Sequence, residues 1–224
     1  MKKAAAVIVL LVLALTAGIL ALPHVVTTMV TDSLRARTGA EDVQISITDS
    51  PRLIFGEIGA VDGVLRQGRI GKLFVRELTV TGTNLHFDRQ ALFSEQRLVL
   101  TEAEHVELRG VVDGDAIREL ITSEADKFSD VAVTVHPGSI LTTAKTRAFG
   151  QTFEVTIEGG FTIMSGDLYY KARYIAARGM GLNALSLDGL FPDMLVARAD
   201  SVPFGLAFES VEEKDDVVIL TAGK

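Results

Sequence analysis

The residues able to do chemistry in this chain are few, and their spacing scatters them. The histidines are His24, His86, His105 and His136, and none falls into an H-E-x-x-H or similar metal-binding spacing. Glu102, Glu104, His105 and Glu107 are acidic enough for a cation, but on a strand the first two share one face and the last two the other, so they read as a solvated strand end. Asp113, Asp115 and Glu124 match positions 1, 3 and 12 of a calcium loop, yet position 5 is Ile117 and the turn position is Arg118 where glycine is needed. Gly179-Met180-Gly181-Leu182-Asn183-Ala184 satisfies G-x-G-x-x-A with Asp200 downstream. A dinucleotide site would also need strands and helices alternating around a parallel sheet, which the pattern lacks, so these glycines read as a turn. There is no G-x-S-x-G elbow, P-loop or Ser/His/Asp set that sequence can bring together. Glu212-Glu213-Lys214-Asp215-Asp216 reads as a charged hairpin turn. The expectation is a protein that is not an enzyme, with no catalytic residue, metal or cofactor.

Composition narrows the class. With 224 residues, 48% hydrophobic and 23% charged, the chain suffices for one well-buried domain and is not disordered. The net charge of −7 argues against a nucleic-acid partner, because phosphate contacts need clustered basic side chains. The absence of Cys excludes disulfides, thiolate metal sites, a cysteine nucleophile and a lipid-modified cysteine anchor. Twenty Gly against five Pro indicate tight turns and so tilt the reading toward strands.

The elements that must position any site begin with a run from Ala4 to Leu22 that carries no charge and follows Lys2 and Lys3. As a helix it spans roughly 28 Å, close to a bilayer's hydrocarbon thickness. The positive flank on its amino side places residues 24–224 outside the cytoplasm. Residues 1–23 thus read as a signal anchor or transmembrane segment in the cell membrane. Its length favours retention over cleavage near Ala17 and Ala21. Residues 24–224 read as a single domain on the extracytoplasmic side, periplasmic or cell-wall.

From His24 to Thr38, Val26, Met29, Val30 and Leu34 recur at helical spacing, and Gly39 supplies a stop. Thereafter the period is two: Val43, Ile45 and Ile47, and later Phe153, Val155, Ile157, Phe161 and Ile163, alternate with polar residues. Strands are expected near residues 54–65, 70–87, 98–112, 131–135, 140–149, 168–177, 204–211 and 217–222, with a bulge near Gly82. One further helix follows a cap at Asp113 or Asp115, its stripe being Ile117, Leu120, Ile121, Ala125 and Phe128. A short helical piece is expected around Leu187 to Val196. The fold class expected is α+β: an N-terminal membrane helix continuing into an amphipathic helix packed on a strongly curved antiparallel β-sheet.

The inward faces of such a sheet make either a filled core or a groove. The candidate apolar lining is Val26, Met29, Val30, Phe153, Val155, Ile157, Phe161, Ile163, Leu206 and Phe208; each methylene such a groove takes from water contributes about 0.8 kcal/mol. The order of segments, with Leu53-Ile54-Phe55-Gly56-Glu57-Ile58-Gly59, Ala103-Glu104-His105-Val106-Glu107-Leu108-Arg109-Gly110 and the closing Val202-Pro203-Phe204-Gly205-Leu206 before Val217-Val218-Ile219-Leu220-Thr221, resembles the LmeA-like family of bacterial envelope proteins. That resemblance covers nearly the whole chain. It implies a tubular lipid-binding fold and phospholipid binding at the outer face of the cytoplasmic membrane, in cell-envelope lipid handling. Ser50-Pro51-Arg52 departs from the family's apolar segment. The alternative is a non-enzymatic envelope scaffold with a filled core that recruits a partner protein. A hydrolase or transferase acting on envelope lipids ranks last, since it needs a convergent polar cluster such as His105 with carboxylates.

Overall fold

The computed structural model describes residues 24–48, 55–95, 99–125, 127–148, 150–178, 182–187 and 193–223. The first described element, helix α1 (residues 24–38), has the one-sided character its spacing demands. Val26, Val30 and Leu34 are buried, while Asp32, Arg35 and Arg37 face solvent. The Gly39 N–H donates to the Arg35 carbonyl at 2.8 Å from a left-handed φ of 63°, the usual glycine termination of a helix.

Strands β1 (Asp42–Ile47), β2 (Glu57–Ile70), β3 (Leu73–Phe87) and β4 (Leu100–Asp113) then run as an antiparallel meander. Helix α2 (Arg89–Glu95) interrupts it between β3 and β4. Asp88 caps α2 by accepting from the Gln90 and Ala91 N–H groups, a short helix the sequence pattern did not announce. Helix α3 (Gly114–Glu124) leaves β4 through Asp113, whose carboxylate accepts from the Ala116 N–H at 3.0 Å. It buries Ala116, Ile117, Leu120 and Ile121. Phe128, expected at the end of this stripe, instead starts β5 (Phe128–His136).

Next come β6 (Ser139–Ala148), β7 (Gln151–Met164), β8 (Asp167–Arg178), β9 (Leu182–Ser186) and β10 (Met194–Ala197). The C-terminal hairpin of β11 (Ala207–Lys214) and β12 (Val217–Gly223) turns at Asp215 and Asp216, as the charged run predicts. The helical piece expected around Leu187 to Val196 is not formed at its end, because Met194 to Ala197 pair with β8 as a strand; residues 188–192 lie outside the described residues. The glycine motif beginning at Gly179 lies partly outside them too. At Gly82 the pairing with Val61 and Val106 is regular, and the β3–β4 register shifts instead at His86 and Phe87.

The fold-class expectation is overturned by the strand order. Two antiparallel sheets stand where one strongly curved sheet was expected: sheet A runs β1-β2-β3-β4-β12-β11, and sheet B runs β10-β8-β7-β6-β5, with β9 also on β8. The physical reason is that α3 lifts the chain off the β4 edge. That vacates a ladder which the last strand fills, pairing Val217 with Asp113 through to Gly223 with Glu107. A period-two pattern specifies faces, not neighbours.

The anchor expectation is corrected as well. Among the described residues no helix is long and apolar enough to cross a membrane, so a single-pass membrane protein with an extracytoplasmic domain is not supported. The described part of α1 is about 22 Å long at 1.5 Å per residue, short of the roughly 30 Å of a bilayer's hydrocarbon core, and its apolar stripe is spent on the protein core. The run 4–22 lies outside the described residues.

Both sheets contribute to one continuous core, from Val26, Leu65, Val80 and Leu108 to Ile140, Phe161, Leu168 and Phe208. Hydrogen bonds stitch them together, two of which show the pattern. The Lys72 N–H, in the β2–β3 turn, donates to the Val196 carbonyl of β10 at 2.9 Å. Gly71 is needed there, since a Cβ would lie 2.6 Å from that same oxygen. On the other side, Glu213 of β11 accepts from the Phe161 N–H at 3.0 Å, serving the edge of β7 beyond the point where β6 stops pairing with it at Gly159.

A candidate apolar ligand site

The ten side chains expected to line one groove occupy five different places. Val26 and Val30 are buried between α1 and sheet A, with Met29 half-buried beside them. Leu206, Phe208 and Phe161 are core residues, and Ile163 packs partly against them. Val155 is buried with Ala144 and Ala177 in a small cluster of its own. Phe153 is half-buried further along β7, and Ile157 lines a separate hollow.

The space that the described residues leave between α1 and sheet A is small. It is an apolar hollow of about 30 Å³, bounded by Val30, Ile58, Val61, Val80, Leu85 and Phe204, which is one water molecule's share of liquid volume. Phe204 reaches it from the turn Pro203–Gly205 with a left-handed φ of 62°, a costly conformation for a bulky residue. Among the described residues this seam is narrower than an acyl chain.

A wide open cleft of about 870 Å³ flanks α3 and contains Asp113, Asp115, Glu119 and Asp130. Its carboxylates are all engaged: Asp113 caps α3, Asp115 meets Arg118 at 3.0 Å, Glu119 pairs with Arg69, and Asp130 accepts from Lys145 at 2.8 Å. The hydrogen bond from Lys145, reinforced by its charge, holds the Asp130 carboxyl below the usual range. Such exposed pairs are solvated surface, and among the described residues no group of three or more His, Asp or Glu is placed to hold a metal.

The third hollow differs in kind. Where α3 ends, about 150 Å³ lies open between Ile121, Ala125 and Phe128 on one side and Ile157, Tyr170, Ala172 and Met194 on the other, with Thr142 and Glu124 completing the lining. Among the described residues Glu124 is the one charged group in this lining, and Lys72 holds it at 2.8 Å. The register explains why these side chains meet. Thr142 pairs with Ile157, Ile157 with Ile175, Gly159 with Ala172, and Phe161 with Tyr170, so all of them except the pairs' backbone lie on one face of sheet B. A bulge at Arg173 keeps Ile175 and Ala177 on that face.

Tyr170 lies across Gly159, where a Cβ would come within 2.6 Å of its hydroxyl oxygen, and meets Phe161 edge to face with ring centroids 5.7 Å apart. Thr142 and Tyr170 are 1% and 7% exposed, yet Thr142 Oγ1 and Tyr170 Oη have no partner in good hydrogen-bonding geometry. Burial pushes the Tyr170 phenol above its ordinary range; the nearby Thr142 hydroxyl and the Arg173 charge offset part of that.

Beyond α3 the same face of sheet B continues through Val155 and Phe153, and across β8 to Ile175 and Leu185. Leu185 is 44% exposed, and Phe153 and Ile175 are half-buried. Pattern reading found Ile157 but missed Thr142, Tyr170, Ala172 and Met194. The signal available was the alternation Leu168, Tyr170, Ala172 in β8, whose meeting with α3 no local pattern encodes. Comparison of the chain with family models, with curated proteins and with solved structures finds no match.

Proposed function

We propose that the protein binds an acyl chain of a phospholipid and leaves it chemically unchanged. The observation that carries this reading is the 150 Å³ hollow opening onto a half-exposed apolar strip of Ile175 and Leu185, with Phe153 further along the same sheet face. Burial of that strip by a chain contributes about 25 cal/mol per Å² of apolar surface removed from water. The sequence resemblance to LmeA-like lipid binders points the same way. The seat differs from the one expected, because the seam beneath α1 is filled by its own side chains.

The test is phospholipid binding by delipidated protein, with native mass spectrometry of gently purified protein alongside. Ile157→Asp places a carboxylate in the hollow and should weaken binding more than about tenfold. Thr156→Asp, one residue along on the opposite face, should change it little; circular dichroism checks that both variants fold. Equal losses from the two substitutions would reject the site. The second reading, a scaffold that recruits a partner protein, is favoured by the filled seam of about 30 Å³ under α1. It predicts no bound lipid and a protein captured by crosslinking.

A further inference from the structure

We propose that the hollow at the end of α3 recognises a neutral carbonyl oxygen, that of an acyl ester, through the hydroxyls of Tyr170 and Thr142. This rests on the acyl-chain reading and assigns which part of the ligand enters first. Two buried hydroxyl oxygens line one cavity side by side, neither with a partner in good hydrogen-bonding geometry, and buried polar groups in native proteins are rarely left so. The remaining lining is Ile121, Ala125, Phe128, Ile157, Ala172 and Met194, with Glu124, paired with Lys72, as the one charge among the described residues.

That chemistry selects the ligand's polar group. A carboxylate would lose its water to a hollow whose described lining holds no cation, the nearby Lys72 being taken up by Glu124. Arg173 does not supply the cation: its guanidinium lies over Gly160, whereas Tyr170 lies over Gly159, so the two are on opposite faces of the strand. Its Nη2 is already committed to the Gly138 and Gly159 carbonyls at 2.8 Å each. Two neutral hydroxyls can both donate to one carbonyl oxygen, which has two lone pairs. A volume of about 150 Å³ accommodates a group of benzene size, hence an ester group with the first few carbons of its chain. The rest of the chain would follow Ile157 across β8 to Ile175 and the exposed Leu185.

The intact chain is titrated by calorimetry with methyl hexanoate, with heptane and with sodium hexanoate. Methyl hexanoate should bind most tightly, about tenfold or more above heptane. Tyr170→Phe and Thr142→Val should each lower ester affinity about three- to tenfold and leave heptane affinity unchanged, which also shows that the variants are folded. Equal binding of ester and heptane by the unsubstituted protein overturns the carbonyl assignment, as does tightest binding of the hexanoate anion or an equal loss of both ligands in the variants. If heptane binds and the ester has no advantage, only the carbonyl assignment falls. If neither binds, the acyl-chain reading falls with it.

Discussion

Gly159→Ala isolates the contact that builds the wall of the hollow. The added methyl would lie 2.6 Å from Tyr170 Oη, 2.7 Å from Tyr170 Cζ and 2.7 Å from the Lys171 carbonyl oxygen, all inside van der Waals distance. The phenol can tilt, but the carbonyl belongs to β8, which pairs with β7 on both sides of this point. Overpacking of this kind costs about 1–3 kcal/mol. The substitution also gains about 0.5–1 kcal/mol, because alanine has less freedom to lose on folding than glycine. With three contacts this short, one of them to backbone, the cost lies in the upper half of that range, so the net is a destabilisation of about 1–2.5 kcal/mol, or a fall in Tm of about 2–10 °C for a chain of this size. Differential scanning calorimetry measures it, and combination with Tyr170→Phe supplies the control. Removal of the hydroxyl oxygen relieves the shortest contact, so the double variant should recover part of the loss, with a coupling of at least 0.5 kcal/mol. An unchanged or raised Tm for Gly159→Ala, or strict additivity in the double variant, would refute the packing of Tyr170 over Gly159 and the shape of the hollow derived from it.

Further expectations follow from other contacts. Asp113→Ala removes the side-chain cap of α3 and should cost about 1 kcal/mol, with Asp113→Asn costing less; urea midpoints compare them. Glu213→Ala leaves the Phe161 N–H without its acceptor across the sheet junction and should cost about 1–3 kcal/mol, whereas Glu213→Gln keeps an acceptor oxygen and should cost less. Because burial raises the Tyr170 pKa, the folded protein keeps that proton where the unfolded chain has released it. The unfolded state then binds fewer protons, so stability should decline as pH rises from about 10 toward the folded-state pKa. Ultraviolet titration should show one late-ionising tyrosine, lost in Tyr170→Phe; its persistence in that variant would assign it elsewhere.

Local patterns in the sequence determined which residues face inward and where most elements begin and end. Val26, Val30 and Leu34 at helical spacing are buried on α1, and the alternation in β7 places Val155 and Phe161 inward. The Asp113 cap and the charged turn before Val217 were legible for the same reason: capping, turns and side-chain periodicity depend on residues within a few positions of one another. Tertiary structure alone decided the rest. That β12 pairs with β4, that the strands divide into two sheets, and that Thr142, Tyr170 and Met194 meet the end of α3 all join residues tens of positions apart. Such meetings are settled by competition among edges and faces of equal local quality, and by how much volume the side chains leave once packed. A filled seam under α1 and an open hollow beside α3 arise from equally apolar residues, so only their three-dimensional packing distinguishes them.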